Sequence, residues 1–319
     1  MKIKNYLAFF CLLINLNAFA NEFKLISLYE EDAAFIYYNS DELYFVLPYV
    51  GEYTKLDRSM LSVDKDGFLK FKYKDNSLLI IDGDYISQCF TKFQNDGENK
   101  YSDAEYGFHN YNINNISASS YFSETINGKT ISYTADNLYK CFFIGCKCHP
   151  YSWNNAHIPW VEGTEDNGIG ESIVIEYKNQ IYGISILNGY VDINNMKLYK
   201  ENSRLKQIEI ENLETGKKKI VNFEDKVYFN YITFEAPLTK LKITIKDIYE
   251  GTKYTDTCVS AVLDNPRELS KDNYYEIWFN NNKINNWHYE KPETVLNDFY
   301  SKEVNLFTNK YMTMPTDER

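Results

Sequence analysis

Apolar residues recur at every second position along much of this chain, and that spacing constrains its fold more than any other feature. The segments "ESIVIEY" (171–177), "IYGISIL" (181–187), "LKQIEIE" (205–211) and "LKITIKDIY" (241–249) alternate cleanly. Successive side chains of a strand point to opposite faces, so the pattern buries one face and wets the other. No convincing helical period interrupts the stretch from Ile116 to Leu263. The expected class is all-β, with regular strands and turns forming an antiparallel jelly-roll sandwich. A small β-rich module precedes it, since "ELYFVL", "FLKFKY" and "SLLIID" are short alternating segments separated by glycine-containing turns.

The first residues address the compartment. Lys2 and Lys4 form a positive start, Tyr6 to Leu16 is mostly apolar, and Ala18 and Ala20 offer small residues at cleavage positions. That is the pattern of a secretory signal peptide over 1–20, too short for a spanning helix, and no second stretch of spanning length follows. The expected organisation is a signal peptide over 1–20, a β-rich module over 21–112 and a jelly-roll over 113–264. An Asn- and aromatic-rich extension over 265–319 completes it. The protein is expected to be exported, to the periplasm, the cell envelope or the outside.

Charge narrows the partners. The formal net charge is −11, and cleavage would remove two lysines and no acid. With no basic tract to offset the acidic total, nucleic acid and anionic membrane surfaces are not expected partners.

Five cysteines lie beyond the leader: Cys89, Cys141, Cys146, Cys148 and Cys258. In an oxidising compartment all five are disulfide candidates, and the odd number leaves one free or intermolecular. The cluster "CFFIGCKCH" (141–149) also offers zinc-type ligands, but without a Cys-x-x-Cys pair. Disulfides are the expected use, and no metal is expected.

The stretch "WVEGTEDNGIGESIVIEY" (160–177) places three glycines among acidic and amide side chains, directly before a strand. A glycine-rich loop that opens a strand is no phosphate cradle; it lets the backbone turn sharply. Only Lys178, Asn179 and Gln180 separate Ser172–Tyr177 from Ile181–Leu187, so a hairpin is expected there. It would set the 160–171 and 188–204 loops side by side. Those loops carry groups that read sugar hydroxyls, Glu162, Asn188, Asn202 and Arg204, with the flat faces of Trp160 and Tyr190 close by. Asn188, Tyr190 and Arg204 are expected to be exposed, whereas Trp160 reads first as a core ring closing the sandwich and only second as a ligand contact. Trp153 and His157, on the neighbouring stretch, are candidates for the rim.

Taken in order, "ISASS" (116–120), "ISYTADNL" (131–138), "AHIPWVEGTEDNGIGESIVIEY" (156–177), "ISILNGY" (184–190), "LYKENSRLKQIEI" (198–210) and "IKDIYEGTKYTDTCVSAVL" (245–263) resemble the NADase-type glycan-binding domain. This is a discoidin-like, galactose-binding-like jelly roll, found also in the N-terminal part of streptococcal NAD glycohydrolase. The resemblance spans about residues 113–264 and implies glycan binding, without catalysis, at the loop end of the sandwich. Discoidin-like folds often place a late carboxylate at a structural calcium. Here Val259-Ser260-Ala261-Val262 has none, so no cofactor is expected.

Catalysis is the competing class. No Gly-x-Ser-x-Gly or His-Glu-x-x-His motif occurs, and the four histidines are scattered. The extension over 265–319 is short for a catalytic module. The expected function is lectin-like recognition of glycans, with an adhesin-like or envelope protein that binds another protein as the alternative. Glycoside processing ranks below both.

Overall fold

A computed structural model of the chain describes residues 24–27, 35–47, 52–73, 76–83, 88–95, 98–103, 112–138, 158–192 and 195–265. Helix among them is confined to single turns at Arg58–Met60, Ala135–Leu138 and Leu198–Glu201. The remaining regular structure is strand, and the fold is all-β.

Described residues through Leu61 belong to one compact unit and those from Ser62 onward to a second. The first unit is an antiparallel meander of β1 (Lys24–Ser27), β2 (Phe35–Tyr38), β3 (Leu43–Leu47) and β4 (Glu52–Leu56). Ile36, Leu43 and Phe45 are buried in it. Its β2–β3 turn is held by Asn39, whose Oδ1 accepts from the amides of Asp41 and Glu42 at 2.8 and 2.7 Å. Arg58 Nε donates to the Asn39 carbonyl at 2.7 Å.

After β5 (Leu61–Val63), which lies at the division, the second unit begins with β6 (Leu69–Tyr73), β7 (Asn76–Gly83), β8 (Gln88–Asn95) and β9 (Glu98–Asp103). It continues with β10 (Ile113–Ala118), β11 (Ser123–Ile126), β12 (Lys129–Ser132), β13 (Trp160–Val161) and β14 (Ser172–Asn188). The last four are β15 (Ser203–Asn212), β16 (Lys218–Asn222), β17 (Tyr228–Tyr249) and β18 (Thr257–Asn265). The division therefore falls inside the span expected to be one module over 21–112. Strand β7 joins the later sheet directly, pairing in parallel with β17 through Asp82↔Tyr228 and Gly83↔Phe229.

The expected hairpin at 178–180 does not form. Strand β14 is one continuous 17-residue strand. It pairs with β17 from Ser172↔Thr244 to Leu187↔Phe229, and the register breaks between Glu176 and Ile181. Its two halves do not pair with each other. The first half has β10 on its other edge, and the second half has β18. The exposed Lys178 and Asn179 mark the break, where the Lys178 amide donates to the Asn112 carbonyl at 2.7 Å and the Asn179 amide to Asn112 Oδ1 at 2.9 Å. One long β14–β17 ribbon thus contributes its halves to two groups of strands, which is how a sandwich is built from strands that switch sheets.

Both halves fill one core. Ile173 and Ile175 from the first half, Ile184 and Ile186 from the second, and Ile208, Ile243, Ile245 and Val262 from their neighbours form a single buried cluster with Trp160. In the second half the alternate residues are buried too. Leu187, Phe229, Ala261 and Leu263 pack with Phe68, Leu79, Ile81 and Tyr199 in another cluster. That accounts for the near-continuous burial of "ISILN" in β14, since a strand covered on both faces loses its polar alternation.

Candidate functional site

The chain leaves β13 into the 162–171 loop, and the geometry there starts from Glu162. This residue is fully buried. Its Oε2 accepts from the Thr164 amide at 2.8 Å and the Thr164 hydroxyl at 2.6 Å, and its Oε1 accepts from the Thr257 amide at 3.3 Å. Burial pushes its carboxyl above the usual range, against the hydrogen bonds from Thr164 and Thr257 that favour the charged form. Glu162 therefore ties the loop to the start of β18. Gly168 adopts φ +73°, and a side chain there would collide with the Glu162 carboxylate stem. Gly163 lies against the Tyr121 backbone, where a Cβ has no room.

Two further segments meet this loop. Ser120 Oγ accepts from the Gly163 amide at 2.9 Å, and the Ser119 hydroxyl donates to Glu171 Oε2 at 2.5 Å. From the 250–257 segment, the Thr257 hydroxyl donates to the Asn167 carbonyl at 2.8 Å. Segments 119–122, 162–171 and 250–257 thus form one loop end. The register of β18 brings β13 and the end of β14 to the same place, because Val259 pairs with Trp160 on one side and Asn188 on the other. The hairpin was the wrong route, yet Trp160 and Asn188 do lie close.

The burial of the expected contact residues is a correction. Arg204 is 4 % exposed and Asn188 is 0 % exposed, so neither stands on an open loop. Arg204 Nε and Nη2 donate to Asp225 Oδ1 and Oδ2 at 3.1 and 2.7 Å. Its Nη1 donates to the carbonyls of Asn202 and Glu250 at 3.1 and 2.8 Å. The guanidinium lies against the rings of Tyr199 and Tyr249. Asn188 acts as a stretch of strand backbone: its Nδ2 donates to the Leu205 carbonyl at 2.7 Å and its Oδ1 accepts from the Leu205 amide at 2.8 Å. Asn202, also buried, closes the Leu198–Glu201 turn by donating from Nδ2 to the Leu198 carbonyl at 2.9 Å. Trp160 is a core ring whose Nε1 donates to the Ser120 carbonyl at 3.0 Å. These groups build the loop end and present little of themselves to a ligand.

Tyr190 is half-buried, at the inner end of a row of rings. Its ring meets Tyr133 edge-on with centroids 6.4 Å apart, and Tyr133 meets Phe122 at 5.9 Å. The Tyr133 hydroxyl donates to Glu124 Oε1 at 2.7 Å. Phe122 and its neighbour Tyr121 reach solvent, Tyr121 being 53 % exposed. Ile169 and Tyr254 are the exposed apolar residues of the other two segments. Tyr121 and Phe122 are not among the site residues expected from the sequence. The available signal was a pair of aromatics in a segment with no period, directly after "ISASS".

Trp153, His157, Cys141, Cys146 and Cys148 lie outside the described residues, and the side chain of Cys89 on β8 does as well. Cys258 is fully buried and free, which removes it from the disulfide candidates. Burial pushes its thiol up, with Asp256 and Glu162 adding to the effect. Among the described residues no three His, Cys, Asp or Glu side chains gather as metal ligands, and no helix is long and apolar enough to cross a membrane.

Comparison with known proteins agrees with the sequence resemblance. Residues 146–264 match the family model of the NAD glycohydrolase translocation F5/8 type C domain. No curated protein matches. Among solved structures, the chain is similar to the family 32 carbohydrate-binding module of Clostridium perfringens NanJ in complex with galactose, at 14 % identity and TM-score 0.29, over 47 % of this chain and 91 % of that one. It is similar to two such modules of Clostridium perfringens ZmpB in complex with GalNAc, at 14 % identity and TM-score 0.34, over 51 % and 37 %. A glycoside hydrolase is similar at 14 % identity and TM-score 0.29, over 74 % and 56 %. Likenesses this distant leave the assignment to the family model and to the chain's own geometry.

Proposed function

We propose that this is an exported glycan-binding protein that recognises saccharides at the loop end formed by 119–122, 162–171 and 250–257, without catalysis. The observation that carries the reading is the Phe122–Tyr133–Tyr190 row of rings with Tyr121 beside it, set among serines, threonines and amides on a rigid β-scaffold. A sugar ring has an apolar face and a rim of hydroxyls, so a site for it needs a flat aromatic surface with polar groups at its edge. Tyr121 offers the exposed face, and the 162–171 loop, which meets the Tyr121 backbone at Gly163, carries Thr164 and Asn167. The match to an F5/8 type C domain supports a binding role. Trp153 and His157 are retained as rim candidates, while Trp160, Glu162, Asn188, Asn202 and Arg204 shape the site from below.

A second reading, docking of a protein, is favoured by the family description, which names translocation of an NAD glycohydrolase. A glycan array probed with the mature chain, followed by titration of its hits, separates the two. Saturable binding of a soluble saccharide supports glycan recognition. Retention of a protein ligand with no saccharide binding supports the alternative.

A further inference from the structure

We infer that this loop end accepts uncharged or amine-bearing saccharides and rejects those carrying a carboxylate or sulfate. The inference rests on the glycan reading above and names the class of sugar. Glu165 and Asp166 are exposed on the 162–171 loop, and Glu171 is half-exposed at its end. Glu124 and Asp256 stand at the inner side, close enough that Glu124 adds to the rise in the Asp256 carboxyl after burial, the larger cause. Lys253 is the one cation in segments 119–124, 162–171 and 250–257. It is exposed, lying 4.7 Å from the Tyr254 ring centroid and 3.9 Å from Glu201, whose carboxylate offsets part of its charge. The nearby guanidinium of Arg204 is committed to Asp225 and two carbonyls. Among the described residues of these segments, the carboxylates of Glu124, Glu165, Asp166, Glu171 and Asp256 outnumber the one exposed cation, Lys253, five to one.

Carboxylates within a Debye length of about 8 Å at physiological salt add their repulsion at a common point. Several together are enough to weaken an anionic ligand by about tenfold relative to its neutral parent. A positively charged amino sugar gains from the same field.

The test is titration of the mature chain with matched pairs of oligosaccharides that differ only in a terminal sialic acid or sulfate, at 0.05 M and 0.5 M salt (about 14 and 4 Å of screening length). The expected result is binding of the neutral member at least about tenfold tighter, with a gap that narrows at high salt and in Glu165→Gln. Equal or tighter binding of the anionic member overturns the inference and leaves the glycan reading standing. Failure of every saccharide to bind, neutral and amino sugars included, overturns both.

Discussion

Arg204 and Asp225 form a two-pronged ion pair, Nε to Oδ1 at 3.1 Å and Nη2 to Oδ2 at 2.7 Å, with the guanidinium 4 % exposed. Burial raises the Asp225 carboxyl, but Arg204 and Lys200 outweigh it and hold the group below its ordinary value. Since the two carbonyl contacts reach Asn202 and Glu250, this one side chain joins three segments. Removing one partner of such a pair leaves a charge uncompensated. Arg204→Ala is therefore expected to cost about 3 kcal/mol, at the low end because Asp225 is partly exposed. Arg204→Lys should recover little, because an ammonium cannot reproduce the fork. Chemical denaturation of both variants checks this. Full stability in Arg204→Ala would return the residue to the list of ligand contacts.

The strands before residue 113 should be needed by the sandwich. Phe68, Leu79 and Ile81 cover Leu187, Phe229 and Leu263, and a buried side chain of this size contributes about 1.5–3 kcal/mol. A chain cut to 113–264 should bind a hydrophobic dye and aggregate, whereas one spanning 62–265 should stay monodisperse. Size-exclusion chromatography with dye fluorescence decides it; a well-behaved 113–264 fragment contradicts the packing described.

This is also where the sequence stops being legible. Alternation identified Ser172–Tyr177 because one face of that half-strand is wet, and it identified the sandwich for the same reason. It identified Ile181–Leu187 as a strand as well, without showing that both faces of that half are covered, and it took three polar residues at 178–180 for a turn when they mark a register break. Asn188 and Arg204 looked like ligand contacts because polar side chains near loops usually face water. Their partners, Leu205 across the sheet and Asp225 far along the chain, are set by tertiary structure that no local pattern records. Trp160 could be read both ways, and the structure places it in the core.

Cys258 should behave as an inert thiol. It is buried, and its thiol is pushed up by burial and then by Asp256 and Glu162, so little nucleophilic thiolate is present. Alkylation of the native protein should leave Cys258 unlabelled, and labelling after unfolding without reductant should capture it. We propose that Cys89, Cys141, Cys146 and Cys148 pair among themselves, so mass spectrometry should find Cys258 as the single modified residue. Native labelling of Cys258, or a disulfide to it, contradicts this.

Asp256 gives a pH signature. Its folded-state value is raised, by burial first and Glu124 second, so the folded state holds the proton more tightly than the unfolded one. Stability is then lost as pH rises from the ordinary aspartate value, about 3.9, through the folded value. Asp256→Asn should melt higher than the parent at pH 7 and lose that advantage near pH 3.5. A constant difference between the two melting curves across this range would show that the carboxyl is not the cause.

Tyr121 provides the most direct test of glycan recognition at this end. Its ring is exposed and its backbone packs against Gly163, so Tyr121→Ala removes a binding face without opening the core. Titration of the tightest array hit against parent and Tyr121→Ala, with a thermal melt of each, is the measurement. The account predicts affinity weakened by about tenfold, equivalent to about 1.4 kcal/mol, with the melting temperature unchanged. Unchanged affinity in Tyr121→Ala, in a protein that still melts like the parent, would place the site elsewhere.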